Sequence, residues 1–114
     1  MDGCLFCRIA AGEIPSGKVY EDEDVLAFRD IAPQAPVHVL VIPKKHVSGW
    51  SEAQGESDAT LGKLWRTAAK VAELEGVDKS GYRVVSNCGK DAQQSVAHLH
   101  LHVLGGRELD GQMA

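Results

Sequence analysis

The chain has 114 residues, of which 12 are basic and 16 acidic, and its net charge at pH 7 is −4. This length fits a single domain over residues 1–114, since a chain of this size buries roughly two thirds of its unfolded surface. The acidic balance disfavours a nucleic-acid-binding surface, because such surfaces are usually basic.

No targeting or membrane segment is apparent. Charged residues at Asp2, Arg8 and Glu13 interrupt the start of the chain, so it lacks the apolar core of a signal peptide. The longest apolar run, 37–42, falls far short of the roughly 20 residues that cross a bilayer. Three cysteines do not suggest a disulfide framework. We therefore expect a cytoplasmic protein without a membrane partner.

The first part of the chain predicts a short helix and a hairpin. Residues 4–11 can form a short helix or knuckle that Gly12 stops. Residues 19–21 and 25–29 predict two strands, joined by the acidic turn at 22–24.

The middle of the chain predicts a strand and the one long helix. Two prolines make 30–36 irregular, and a valine-rich strand follows at 38–43. Ser57 or Asp58 can cap a helix that Gly76 ends. Its apolar stripe recurs at helical spacing and comprises Leu61, Leu64, Trp65, Ala68, Val71 and Ala72.

The last part predicts a strand at 82–87, a polar loop at 88–95 and a strand at 98–104. Five short strands with few helices do not form alternating strand–helix units. The sequence therefore predicts an α+β fold, with a five-stranded, mainly antiparallel sheet, one long helix and one short helix.

The strand at 98–104 carries three histidines in alternation with aliphatic residues. His98, His100 and His102 would share one face of a strand, and a buried face tolerates imidazoles only when they have partners. Same-face neighbours lie about 6.7 Å apart, whereas zinc needs each nitrogen at about 2 Å. One ion cannot easily bind all three, so their roles are divided.

Cys4 and Cys7 form a Cys-x-x-Cys pair. This spacing is moderate support for zinc, and a thioredoxin-like redox motif is the alternative, although that motif needs a βαβ context. Two reduced, partly buried thiols without any metal are the third interpretation.

Several segments together resemble the histidine-triad nucleotide-binding family. They are His98-Leu99-His100-Leu101-His102-Val103-Leu104 with Gln94-Ser95-Val96 before it and Gly105-Gly106 after it, Asp30-Ile31-x-Pro33-x-Ala35-Pro36-x-His38, and Val41-Ile42-Pro43-Lys44-Lys45-His46. The resemblance extends from about Leu5 to Gly106. Its Lys-Lys-His and Gly-Gly segments favour the phosphoramidase branch over the fragile-histidine-triad branch, which hydrolyses dinucleoside polyphosphates.

The resemblance implies a hydrolase that cleaves purine nucleoside 5′-monophosphoramidates at the α-phosphorus through a nucleotidyl-histidine intermediate. His100 would be the nucleophile, with the main-chain carbonyl of His98 holding the proton of its other ring nitrogen. His38 and His102 would flank the phosphoryl oxygens, and Ser95 would bind the phosphate and pass a proton to the leaving amine. No cofactor is implied for catalysis.

The resemblance also implies the nucleotide-binding residues. Asp30 would accept the ribose hydroxyls, and backbone N–H groups of loop 89–95 would cradle the phosphate. Ala92 and Gln93 stand where the family usually has two glycines, which costs conformational freedom if positive φ is needed. The predicted nucleotide-binding set is Leu5, Phe6, Ile9, Phe28, Asp30, Ile31, Asn87, Gln93, Gln94, Ser95, His100 and His102.

An apolar purine slot is part of that set. It would comprise Leu5, Phe6, Ile9, Ile14, Phe28 and Ile31. Taken singly, each of these six residue types is more often an ordinary core residue. A hydrophobic slot selects bases weakly, so we expect loose discrimination between adenine and guanine.

Some branches of the superfamily hold a structural zinc ion, and the matching ligands here are Cys4, Cys7, His46 and His98. A closed Cys2His2 site leaves no open position for catalysis. The resemblance further implies a homodimer, formed by the long helix and the Tyr82 strand. The tail at 108–114 lacks the Trp-Pro-Pro ending of some relatives. Alternative functions are a dinucleoside polyphosphate hydrolase, a nucleotidyltransferase and a non-catalytic nucleotide-binding module.

Overall fold

The computed structural model describes residues 3–112, so any prediction about Met1, Asp2, Met113 or Ala114 lies outside it. The elements in chain order are α1 (Leu5–Ala10), β1 (Lys18–Glu21), β2 (Val25–Arg29), β3 (Val37–Pro43), a 3₁₀ turn (Glu52–Gly55), α2 (Asp58–Leu74), β4 (Tyr82–Val85) and β5 (Leu101–Gly105). The five strands form one antiparallel sheet in the order β1-β2-β3-β5-β4. The predicted α+β fold is confirmed.

The two helices cover opposite faces of this sheet. Successive side chains of β3 point to opposite faces. Val39 and Val41 pack with Leu64 and Val71 of α2, whereas Leu40 packs in a second cluster with the α1 side chains Phe6 and Ile9. Even-numbered residues of β3 and β5 therefore point to the α1 face. The catalytic candidates His38 and His102 lie on that face.

The long helix begins where its capping residue predicts. The Thr60 N–H donates a hydrogen bond to Ser57 Oγ at 3.1 Å, which satisfies one of the free N–H groups of the first turn. Leu64, Ala68 and Val71 of the predicted apolar stripe are buried, whereas Trp65 is exposed. The stripe is thus a core face with an exposed flank.

The prediction of a strand over 98–104 is wrong for its first three residues, because β5 begins at Leu101. The His98 N–H donates to Val96 O and the Leu99 N–H to Val47 O, so this segment uses its backbone groups outside the sheet. Likewise β4 ends at Val85 and not at residue 87. The short 3₁₀ turn within the polar stretch was not predicted.

No helix within residues 3–112 combines the length and the apolar character that crossing a bilayer requires.

Candidate active site

The three alternating histidines occupy different environments. His98 and His100 precede β5 and are 0% and 2% exposed, whereas His102 lies on β5 and is partly exposed. Their rings remain adjacent, since the ring centroids of His100 and His102 lie 5.0 Å apart. The three histidines therefore differ in burial and position, and the separate roles predicted for them stay predictions.

His100 is held by its own neighbour. Its Nδ1 lies 2.7 Å from the main-chain oxygen of His98. Because a carbonyl only accepts, the neutral ring carries its proton on Nδ1 and leaves the Nε2 lone pair free. Within residues 3–112, Nε2 of His100 has no hydrogen-bond partner. A fully buried atom without a partner would be counted with Ser16 Oγ, the single example in this part of the chain. Because Nε2 of His100 is not counted there, it is accessible to solvent.

The backbone of His100 has a second support that sequence reasoning missed. Ser86 Oγ donates to the main-chain oxygen of His100 at 2.6 Å, and the Trp50 indole N–H donates to Ser86 Oγ. The Trp50 ring also packs beside Trp65, at a centroid distance of 6.5 Å. Ser86 is adjacent to the predicted Asn87, but nothing in the local pattern indicates that its hydroxyl reaches a carbonyl 14 residues away.

His38 and His102 form a hydrogen-bonded pair on the α1 face, and Asp30 lies beside His38. The Gln34 N–H donates to His38 Nδ1 at 3.1 Å, so neutral His38 carries its proton on Nε2. That nitrogen lies 2.9 Å from His102 Nδ1 and 3.5 Å from Asp30 Oδ2. His102 therefore accepts at Nδ1 and presents an N–H donor at Nε2.

Burial keeps these imidazoles neutral. It lowers the pKa of His102 to about 4, and the neighbouring His100 and His38 act in the same direction, against the opposing effect of Asp30. Burial also lowers the pKa of His38, again opposed by Asp30. Burial thus favours the neutral tautomers described for His38 and His102.

The lowered pKa of His102 predicts acid-sensitive stability. A histidine in the unfolded chain has a pKa of about 6.5, whereas His102 in the folded protein has a pKa of about 4. Between these pH values the unfolded chain therefore binds a proton at His102 that the folded protein does not bind. The free energy of unfolding should therefore fall as pH decreases from about 6.5 towards 4. Urea titrations at several pH values should show a shallower fall in His102→Gln, and equal slopes in both proteins would contradict this assignment.

Cys4, Cys7, His46 and His98 come together as the resemblance implies. One ligand atom from each lies within 4.8 Å of the others. Cys4 Sγ is 3.3 Å from His98 Nδ1, and Cys7 Sγ is 3.1 Å from His46 Nδ1. Two thiols and two imidazoles within this distance fit a tetrahedral zinc ion.

The surroundings of this cluster also suit a metal. Nε2 of His98 lies 2.8 Å from Pro43 O and donates to it, which leaves Nδ1 as the free lone pair towards the thiols. The Cys7 N–H donates to Cys4 Sγ at the start of α1. Burial, followed by the neighbouring Cys4, raises the pKa of the Cys7 thiol, so metal binding there releases a proton.

The apolar residues predicted to hold a purine differ in their exposure. Phe6, Ile9 and Phe28 are buried, and the Phe6 ring packs edge-on against His100 at a centroid distance of 5.1 Å. Leu5 is exposed and Ile31 is fully exposed. Ile14, also in the predicted slot, is partly buried against the α1 cluster.

The loop at 89–95 is closed by a glutamine side chain. Gln94 Oε1 accepts from the Gly89 N–H, and Gln94 Nε2 donates to the main-chain oxygens of Ser48 and Val96. Gln93 has a φ of +58°, a left-handed conformation that favours glycine. The conformational cost expected for a side chain at this position therefore applies to Gln93. Gln94 shapes the loop through all three of these bonds.

Ser95 and Asn87 border two different cavities. Asn87 lines a cavity together with His38 and His102. Ser95 is exposed and lines another cavity beside Cys4 and His46. The predicted roles of Asn87 in nucleotide binding and of Ser95 in catalysis stay predictions.

Comparison with known proteins identifies a family and a relative with similar sequence. The HIT domain family model matches residues 11–109. The purine nucleoside phosphoramidase of Escherichia coli strain K12 is 44% identical over 110 residues, which cover 96% of this chain and 92% of that protein.

Solved structures agree with the sequence comparison. The HIT family hydrolase of Legionella pneumophila Philadelphia 1 superposes with a TM-score of 0.92 at 47% identity, covering 96% of this chain and 97% of that one. The HIT family hydrolase from Clostridium thermocellum gives a TM-score of 0.95 at 44% identity, covering 100% and 99%.

The chain belongs to the HIT family, whose domain model matches most of its length. Its similarity to a phosphoramidase and to two HIT family hydrolases further indicates that it is a hydrolase. The resemblance drawn from the motifs is thereby confirmed.

Proposed function

We propose that the protein hydrolyses purine nucleoside 5′-monophosphoramidates through a nucleotidyl intermediate on His100. The observation that carries this proposal is the hydrogen bond from His100 Nδ1 to His98 O, which fixes the ring with an unprotonated Nε2. The similarity to a purine nucleoside phosphoramidase supports the choice of substrate.

In the first step, Nε2 of His100 attacks the α-phosphorus. The P–Nε2 bond forms as the P–N bond to the leaving amine breaks, and the amine departs after taking up a proton. The positive charge that develops on the His100 ring is stabilised by its Nδ1–H bond to the His98 carbonyl. Ser95 supplies the proton to the amine in this scheme.

In the second step, water attacks the phosphorus of the intermediate. The new P–O bond replaces the P–Nε2 bond, the water passes a proton to Ser95 to replace the one given to the amine, and a nucleoside monophosphate leaves with His100 restored. The Nε2–H of His102 stabilises charge on the phosphoryl oxygens in both steps, because His38 occupies its other nitrogen. Asn87 contacts the same phosphate.

The remaining binding roles follow the predicted set. Asp30 accepts hydrogen bonds from the ribose hydroxyls, and the loop carrying Gln93 and Gln94 lies against the phosphate. Phe6, Ile9 and Phe28 form the buried floor beneath the purine, while exposed Leu5 and Ile31 close over it. This weakly selective slot should accept adenine and guanine alike.

A direct comparison of substrates tests the proposed function. Purified protein should hydrolyse adenosine 5′-phosphoramidate to AMP with a higher kcat/KM than it shows for a diadenosine polyphosphate. The reverse order would identify a dinucleoside polyphosphate hydrolase. Transfer of AMP to an added acceptor in place of water would identify a nucleotidyltransferase, and nucleotide binding without turnover would identify a binding module.

We propose in addition that Cys4, Cys7, His46 and His98 hold a structural zinc ion. The distances among their ligand atoms and the bond from His98 to Pro43 O support this role. Four protein ligands leave no open position, so this ion would be structural and would take no part in the reaction at His100. When bound, the ion would tie α1 to the segment that carries the nucleophile.

We further propose that residues 1–114 form one cytoplasmic HIT domain that assembles as a homodimer. Trp65 on α2 is 47% exposed, Leu74 at the end of the same helix is also exposed, and exposed Tyr82 lies on β4, an edge strand of the sheet. Three free thiols suit a reducing compartment. Sedimentation at micromolar concentration should give twice the chain mass, and a monomer would contradict the assembly.

A further inference from the structure

A cavity of about 320 Å³ beside His102 carries two arginines that the proposed reaction does not use. Arg83 and Arg107 line it together with His38, Asn87 and His102. We refer to it as the arginine cavity.

The register of the sheet places Arg83 on the same face as the two catalytic candidates. Val85 lies opposite His102, and Arg83 lies opposite Leu104, which in turn lies opposite His38. Residues directly opposite in antiparallel strands point to the same face, and diagonal neighbours are roughly 7–8 Å apart. Arg83 is therefore a diagonal neighbour of His102 on the adjacent strand, at a distance of roughly 7–8 Å.

Main-chain oxygens hold both guanidinium groups. Arg83 Nη2 donates to Asp110 O at 2.7 Å, and Arg107 Nη2 donates to Gln34 O at 3.1 Å. Within residues 3–112, neither arginine has a carboxylate within 4.0 Å. Asp110 is the one acidic residue that lines the cavity, so its formal charge is positive in an acidic chain.

We propose that the arginine cavity binds the leaving group of the substrate and favours amines that carry a carboxylate. The inference rests on the proposed function, since it concerns the group that departs from the phosphorus beside His102. A planar guanidinium matches a carboxylate through two parallel hydrogen bonds. The tail residues Leu109 and Asp110 also line this cavity and would contact the departing amine.

Two adenosine 5′-phosphoramidates matched in shape test this inference. Their leaving amines are β-alanine and β-alaninamide, which differ in one carboxylate. The parent protein should favour the β-alanine substrate by about tenfold in kcat/KM at low ionic strength, and added salt should reduce the ratio. The ratio should approach one in Arg83→Gln/Arg107→Gln and fall below one in Arg107→Glu.

Arg66→Gln is the matched control, because Arg66 is exposed on α2 outside this cavity, and it should keep the parental ratio. If the double variant does not fold, the salt dependence of the parent and the Arg107→Glu variant still decide the matter. Hydrolysis of both substrates at equal rates by the parent, or a ratio unchanged by Arg107→Glu, would overturn this inference alone. Hydrolysis of neither substrate would overturn the proposed function as well.

Discussion

Replacement of His100 by glycine is expected to reduce kcat for adenosine 5′-phosphoramidate by about 10⁴-fold or more, because loss of a nucleophile removes the covalent route entirely. Steady-state kinetics on the purified variant would measure the effect. Circular dichroism and thermal melting should confirm that the variant is folded, since His100 is buried against Phe6.

Free imidazole distinguishes a nucleophile from a structural residue at this position. In His100→Gly, added imidazole can enter the space left by the side chain and attack the phosphorus, so it should restore part of the activity. Lys79→Gly, in a turn away from the site, is the control and should behave as the parent does. An active His100→Gly variant in the absence of imidazole would contradict the proposed nucleophile.

Removal of zinc is expected to lower the melting temperature by roughly 10–20 °C. An ion present at about 1,000 times its dissociation constant stabilises the folded state by about 4 kcal/mol, and each kcal/mol shifts Tm by about 4 °C in a domain of this size. Activity should fall too, because His98 both faces the thiols and accepts the bond from His100. Thermal melting with and without a chelator measures the first effect.

Two cysteine variants, one inside the cluster and one outside it, separate metal binding from other causes of lost stability. Cys7→Ser should abolish stoichiometric zinc and melt like the chelated parent. Cys88→Ser should retain the metal, since Cys88 is exposed and outside the cluster. Parent protein that contains no zinc, and whose melting is unaffected by added zinc, would contradict the proposed site.

The elements with strong local signals were predictable from the sequence. The apolar strand at 25–29 has the predicted bounds, and Ser57 caps α2 as its position indicates. The run at 98–104 was predicted as a strand because its alternation is typical of one. Its first part instead directs its backbone to Val47 and Val96, contacts that depend on how a distant segment packs.

The site shows the same difference between local pattern and tertiary contact. Motif resemblance named Cys4 and His98 as neighbours although they are 94 residues apart, and the structure brings them within 3.3 Å. Ser86, Trp50 and Arg83 were missed, because their importance comes from the direction of a side chain after folding. None of them forms part of a recognisable spacing in the chain.

The most direct test of the account is to trap the covalent intermediate. Parent protein mixed with adenosine 5′-phosphoramidate should be sampled within the first turnover and quenched in alkaline denaturant, since a phosphorus–imidazole bond is labile in acid. Peptide mass spectrometry should then find one adenylyl group on His100, and none in His100→Gly. Turnover of the substrate without an adduct, or with the adduct on another residue, would contradict the proposed mechanism.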